Sequence, residues 1–327
     1  MATKERDITF DIMKGVGILL VMTCHFFGWN HPIMSNAIRS FHMPMFFIVA
    51  GYFSKGYEPG LKVGTQFKKY ANRLFWPFVF TQLLIVAWLA LMVFAKHESW
   101  NPVIGNALSA FWADVFGPTT PWGTLSIGVV WFLLALLVAK VLLIPLSRSG
   151  NWSIPISLAI AFVTIMLHKV FPYSIWSISL GLTALPFVTI GWWVRSHNVP
   201  VWVKCLSVVA WIAAICFSSL DMYSFTWQCY PLDVLGACGG TYCLYLVCRF
   251  VGRKLKYTSK VFATLGLWSL AIMCMHCFEM ATHLNNHVLA LMPVALPVWV
   301  NPVFRYVLTI GLAWVVCKLP GVKRIFS

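Results

Sequence analysis

A chain of 327 residues that is 60% hydrophobic and 10% charged, with 17 Trp and 25 Phe, carries more apolar surface than a soluble fold of that size can hide. Its formal net charge of +15 raises nucleic acid as a partner, but the 24 Lys and Arg are scattered through short polar segments and form no single patch, which argues against it. A bilayer suits the composition. Apolar runs of about 20 residues, each able to cross a hydrocarbon core of roughly 30 Å, recur from end to end.

The runs predict membrane spans at 12–29, 33–54, 75–95, 125–146, 154–171, 174–194, 204–220, 233–251, 262–283 and 302–319. The expected fold is therefore all-α, a polytopic membrane protein of about ten transmembrane helices forming one domain over 1–327. With the N-terminus in the cytoplasm, 18 of the 24 Lys and Arg fall in cytoplasmic segments or at their edges. Arg39, Lys96, Lys169 and Arg305 fall toward the other side. That bias predicts a multi-pass protein of the inner or plasma membrane with both termini cytoplasmic.

The first span opens the chemistry. It carries Asp11, Lys14 and His25, lacks a small-residue cleavage site, and reads as a retained span. Lys14 and His25, 11 residues apart, return to nearly the same helix face and lie about 16 Å apart along the axis. One face thus bears a cation near the cytoplasmic surface and an imidazole well inside the membrane. Both a catalytic His25 and one that only bonds a neighbouring helix fit this placement. In the second span Arg39 and His42 are three residues apart and share a face, with a kink expected at Pro44. They suit a substrate contact or a structural ion pair.

Residues 55–74 form the most polar connection, and Phe67 to Leu74, with Lys68, Lys69 and Arg73, has the aromatic and basic pattern of an interfacial helix. Residues 96–124 make an outer connection whose apolar piece, Ile104 to Phe116, is too short to cross. Gly236 and Gly240 in the eighth span predict close helix packing. The ninth span places Ser269, His276, Glu279 and His283 at spacings of seven, three and four, one stripe on a helix. Such a carboxylate can orient an imidazole and raise its basicity, or serve in a packing network. Glu279 and Arg39 are the expected charge pair. The ten cysteines are mostly within spans and predict free thiols. No closed set of ligand spacings appears, so no metal is expected.

These residues also carry a resemblance. Arg6-Asp7-Ile8, then Asp11 to Val21 and His25, resembles the opening of acyltransferase family 3, in which a basic residue precedes a first-span histidine by ten intervening positions; Lys14 and His25 fit that pattern. Phe41-His42-Met43-Pro44-Met45-Phe46-Phe47, followed by Ala50-Gly51-Tyr52-Phe53, resembles the branch related to fucose 4-O-acetylases, which more often has Ser at the place of Ala50. Arg73-Leu74-Phe75-Trp76-Pro77, Trp131-Phe132-Leu133, and Leu265 to Ile272 with His276 are similar to further family elements, in the family's order.

The resemblance implies a membrane enzyme that takes an acyl group, usually acetyl, from cytoplasmic acyl-coenzyme A. The acceptor is a hydroxyl of a sugar or lipid-linked cell-envelope glycan. Acetyl-CoA or another acyl-CoA is then a co-substrate, and membrane lipid is the remaining partner. His25, His276 and Glu279 are the candidate catalytic residues, and Arg39 and His42 the acceptor-binding ones. Lys14, Lys68, Lys69 and Arg73 are the candidate ligands of the donor's phosphates. His25 serves either as general base or as transient acyl carrier. The rival class is a transporter or flippase of a lipid-linked saccharide that uses the same intramembrane residues as a binding site.

Overall fold

A segment surrounded by hydrocarbon must satisfy its own backbone polar groups, and the apolar runs do so by coiling into helices. The computed structural model describes residues 7–26, 32–58, 60, 62–96, 105, 130–171, 177–291, 297 and 300–326. Its helices are α1 (Ile8–Phe26), α2 (Pro32–Arg39), α3 (His42–Tyr52), α4 (Val63–Lys96), α5 (Trp131–Leu146), α6 (Ser153–His168), α7 (Ile178–Val194) and α8 (Val201–Phe217). After a hairpin of β1 (Leu220–Asp221) and β2 (Thr226–Trp227) come α9 (Tyr230–Lys254), α10 (Lys256–Leu267), α11 (Ser269–Thr282), α12 (Leu284–Ala290) and α13 (Val300–Lys318). The strands are antiparallel, with Leu220 opposite Trp227 and Asp221 opposite Thr226. The apolar piece from Ile104 to Phe116 lies outside the described residues except for Gly105.

Each of the ten predicted spans overlaps a helix. Among the described residues, five helical stretches are long and apolar enough to cross a membrane, Ile8–Phe26, Val63–Ala95, Trp131–His168, Tyr230–Lys254 and Val300–Lys318, and a sixth arises if α10 and α11 are one broken span. The Trp131–His168 stretch is interrupted by a 3₁₀ turn, Ser147–Trp152, in which Gly150 has φ +57°. α7 and α8, at 17 residues each, are apolar but shorter.

Three local expectations need correction. The second span is two helices that part at Ser40 and Phe41, where the Ser40 hydroxyl donates to the Ala37 carbonyl at 3.0 Å and not onward along a helix. Pro44 does not kink a helix. It lies in the first turn of α3, where a missing N–H costs nothing. Phe67 to Leu74 is no separate surface helix either; it is part of the 34-residue α4.

The chain divides into two compact units. Unit 1 holds residues 1–53, 190–221 and 226–270, and unit 2 holds 54–189, 222–225 and 271–327. In unit 1 the core gathers Ile12 and Met13 of α1, Met45 and Val49 of α3, Cys248 of α9 and Ala263 of α10, with Phe41 at the α2–α3 corner. α1 crosses α10 with backbone against backbone: a Cβ on Gly15 would overlap the Phe262 carbonyl, and one on Gly266 the Asp11 carbonyl. In α9, Gly236 faces Ala214 and Gly240 faces Phe41, and the tightest approach is Gly239 against the Ser207 carbonyl of α8.

In unit 2, residues 271–279 of α11 are all buried, the signature of a helix enclosed on every side. Leu133, Leu143 and Ile144 of α5 and Leu180 and Phe187 of α7 supply further fully buried side chains. None of the ten cysteines, all among the described residues, is joined in a disulfide.

Candidate active site

Unit 1 brings together His25, Arg39 and His42 from three helices. His25 is the penultimate residue of α1 and its side chain is exposed, so the imidazole sits at a helix end and not in the packed interior. Arg39 ends α2. Its Nε and a terminal nitrogen donate to Ser35 Oγ at 3.0 and 2.6 Å, and its other terminal nitrogen lies 3.6 Å from Asp221 Oδ2. His42 opens α3, is buried, and has Nδ1 2.9 Å from the Ile38 carbonyl oxygen. A carbonyl only accepts, so Nδ1 carries the proton, and in the neutral ring the lone pair resides on Nε2.

These groups act on one another. The charges of His25 and Asp221 both reach His42, and those of Arg39 and Asp221 both reach Cys24, the neighbour of His25. The break at Ser40–Phe41 puts Arg39 and His42 on consecutive helices instead of one face, yet leaves them in one cluster. The corner is braced, since Trp211 Nε1 donates to Ser40 Oγ at 2.9 Å and the Phe41 ring meets the Trp211 ring edge-on. Asn36 donates to the Ser218 carbonyl at 3.5 Å, and Ser218 in turn donates to Asp233 at 2.5 Å. Asp221 was missed by the sequence reading. The available signal was charge balance: Arg39 required a partner, and a short polar segment, Ser218-Ser219-Leu220-Asp221, offered one.

Lys14 is not a lone cation. Its ammonium is 2.8 Å from Asp11 Oδ1, one helical turn back on α1.

In unit 2, His276 and Glu279 are fully buried on α11. Glu279 does not await Arg39. Arg305 of α13 grips it with a two-pronged fork, Nε to Oε1 at 2.8 Å and a terminal nitrogen to Oε2 at 2.9 Å. Each arginine thus finds its carboxylate within its own unit. His283 leaves the expected stripe because α11 ends at Thr282 and His283 turns into the left-handed region at φ +49°. Lys68, Lys69 and Arg73 are all exposed on the early turns of α4. Near them lies a basic residue that the sequence reading left unused: Lys140 of α5, with Nζ 4.5 Å from the centroid of the Tyr70 ring. Among the described residues, no three His, Cys, Asp or Glu side chains gather closely enough to hold a metal ion.

A buried imidazole with a fixed tautomer, an anchored guanidinium and an exposed imidazole make a set able to bind a polyol and take a proton from it. Comparison with known proteins gives the set its context. A family model described as an acyltransferase domain matches residues 7–318. The chain belongs to acyltransferase family 3. Among its relatives, the nodulation protein NolL of Mesorhizobium japonicum is 27% identical over 233 residues, covering 64% of this chain and 56% of that protein. NolL of Sinorhizobium fredii is 39% identical over 62 residues, covering 16% of this chain and 17% of that protein. The chain thus spans little more than half the length of the first of these relatives. No solved structure matches it. Lys14 and His25, the pair whose spacing resembles the family's opening, both lie in unit 1.

Proposed function

We propose that the protein is a membrane O-acyltransferase of the inner or plasma membrane that moves an acyl group, acetyl in the simplest case, from cytoplasmic acyl-CoA to a hydroxyl of a sugar in a cell-envelope glycan. The observation that carries the reading is the His25–Arg39–His42–Asp221 cluster in unit 1 of a chain belonging to this family.

The chemistry assigns each group a task. The acceptor oxygen attacks the thioester carbonyl carbon, its proton passes to His25, and the C–S bond breaks as the coenzyme A thiolate leaves and takes up a proton. Arg39, held in place by Ser35 and Asp221, and the His42 Nε2 lone pair hold the acceptor by its hydroxyls. In unit 2 the exposed Lys68, Lys69 and Arg73 offer charge to the donor's phosphates. The Glu279–Arg305 fork commits both carboxylate oxygens, so Glu279 serves as an anchor that fixes the His276 helix and not as a proton carrier.

The test is release of free thiol from acetyl-CoA by the purified protein in nanodiscs, with and without a panel of envelope saccharides. Acceptor-dependent release that falls about 10²–10⁴-fold in His25→Ala, with unchanged folding, is the expected result. Saccharide movement without thiol release would replace the enzyme with a transporter, and near-normal turnover by His25→Ala would remove that histidine from the chemistry.

A further inference from the structure

Unit 2 collects three cations round one tyrosine. Lys69 and Arg73 are four residues apart on α4, and Tyr70 lies three residues before Arg73, so the three side chains occupy adjoining positions on the helix surface. Tyr70 is 7% exposed. α5 packs against this part of the fold and delivers Lys140, whose ammonium rests over the Tyr70 ring. The charges that act on Lys140 there are those of Arg73 and Lys69.

Lys140 is an expensive residue in its place. It interrupts the apolar run Trp131–Leu146, where a charge is costly unless something compensates it. A cation–π contact with Tyr70 compensates in part, but two like charges nearby oppose it. No carboxylate answers them among the described residues of unit 2: Glu58 pairs with Lys55, and Glu279 with Arg305. Three neighbouring cations, with no unpaired carboxylate for them among the described residues of unit 2, describe a site for an anion with several acceptor oxygens.

We propose that Lys69, Arg73 and Lys140 form a phosphoryl-binding site, with Lys140 as the arm contributed from a second helix. Arg73 offers a planar fork to two phosphate oxygens, and the two ammoniums act as point charges on the remainder. The ligand is a phosphate ester. Resting on the reading of the chain as an acyl-CoA-dependent enzyme, that ester is a phosphate of the donor. An anionic phospholipid headgroup offers the same chemistry, so the experiment separates the two.

The protein is placed in nanodiscs of phosphatidylcholine and titrated with desulfo-coenzyme A at increasing salt. In parallel, its thermal stability is compared between discs with and without phosphatidylglycerol. Lys140→Met and Lys140→Arg are carried through both arms; the Met variant fills an apolar helix with an apolar side chain, and its fold is checked by helicity and monodispersity. The expected result is a loss of about tenfold or more in desulfo-coenzyme A affinity in Lys140→Met, a weaker salt dependence, and recovery in Lys140→Arg. Loss of phosphatidylglycerol-dependent stabilisation in Lys140→Met, with nucleotide affinity intact, also upholds a phosphoryl site and identifies its occupant as lipid. Failure of the unmodified protein to bind desulfo-coenzyme A at all defeats the donor reading, while the lipid arm still judges the site. If both arms are indifferent to Lys140→Met, the site does not exist.

Discussion

The Glu279–Arg305 fork joins two charged groups through two hydrogen bonds and can be weighed by a double-mutant cycle. Glu279 is 0% exposed and the Arg305 side chain 18%, and two charge-assisted hydrogen bonds of 2.8 and 2.9 Å join them. Arg305→Met strands a carboxylate in an apolar interior with both its partners gone. Breaking a buried pair from one side costs about 3–5 kcal/mol. Glu279→Met strands a guanidinium that keeps some access to polar surroundings, so its loss falls at the lower end of that range. The double variant leaves no unmatched charge and lies within about 1 kcal/mol of the original, since a buried pair replaced by apolar groups of similar size is close to neutral. The cycle therefore closes with a coupling of several kcal/mol. Denaturant or heat unfolding of the four proteins in one detergent measures it. Single losses under about 0.5 kcal/mol, or a double variant as unstable as the sum of the singles, would show that the fork does not anchor α11 to α13 and would refute its role here.

Asp221→Asn removes the charge 3.6 Å from Arg39 while sparing the Ser35 bonds, so the acceptor KM rises a few-fold with kcat nearly unchanged in steady-state kinetics; a kcat collapse instead would put Asp221 in the chemistry. Gly266→Ala forces a Cβ into the Asp11 carbonyl and destabilises by about 1–3 kcal/mol, whereas Gly311→Ala, with open space around it, is neutral or stabilising on the same unfolding assay. Equal effects at the two glycines would mean that the α1–α10 contact is not close.

Helix positions were readable in the chain because a twenty-residue apolar run has few other ways to satisfy its backbone in lipid. Where helices stop within a run was less readable. Pro44 advertised a break, but the break falls at Ser40 and Phe41, and the proline serves in the first turn of the next helix. Trp268 marks the junction of α10 and α11 with no proline or glycine at that position. Single charges within spans stood out, since each is costly and therefore conspicuous. Their partners did not. Arg39 and Glu279 were matched to each other on sign and expected depth, but Asp221 and Arg305 supply the counter-charges from segments whose proximity only folding creates. Lys140 interrupts an apolar run, and its meaning depends on Tyr70, Lys69 and Arg73 being brought beside it.

The glycine crossing of α1 and α10 has a mechanical consequence. Where two helices touch through side chains, rotamer changes let one slide or roll against the other. At Gly15 and Gly266 themselves, carbonyl oxygens lie against Cα atoms with no side chain of either glycine between them. At that crossing any shift of α1 against α10 brings backbone against backbone, so the two helices move more easily together than apart. Freedom for the His25 imidazole is therefore left to its own side-chain rotamers and to the end of α1, away from the crossing that holds the Lys14 end of the helix.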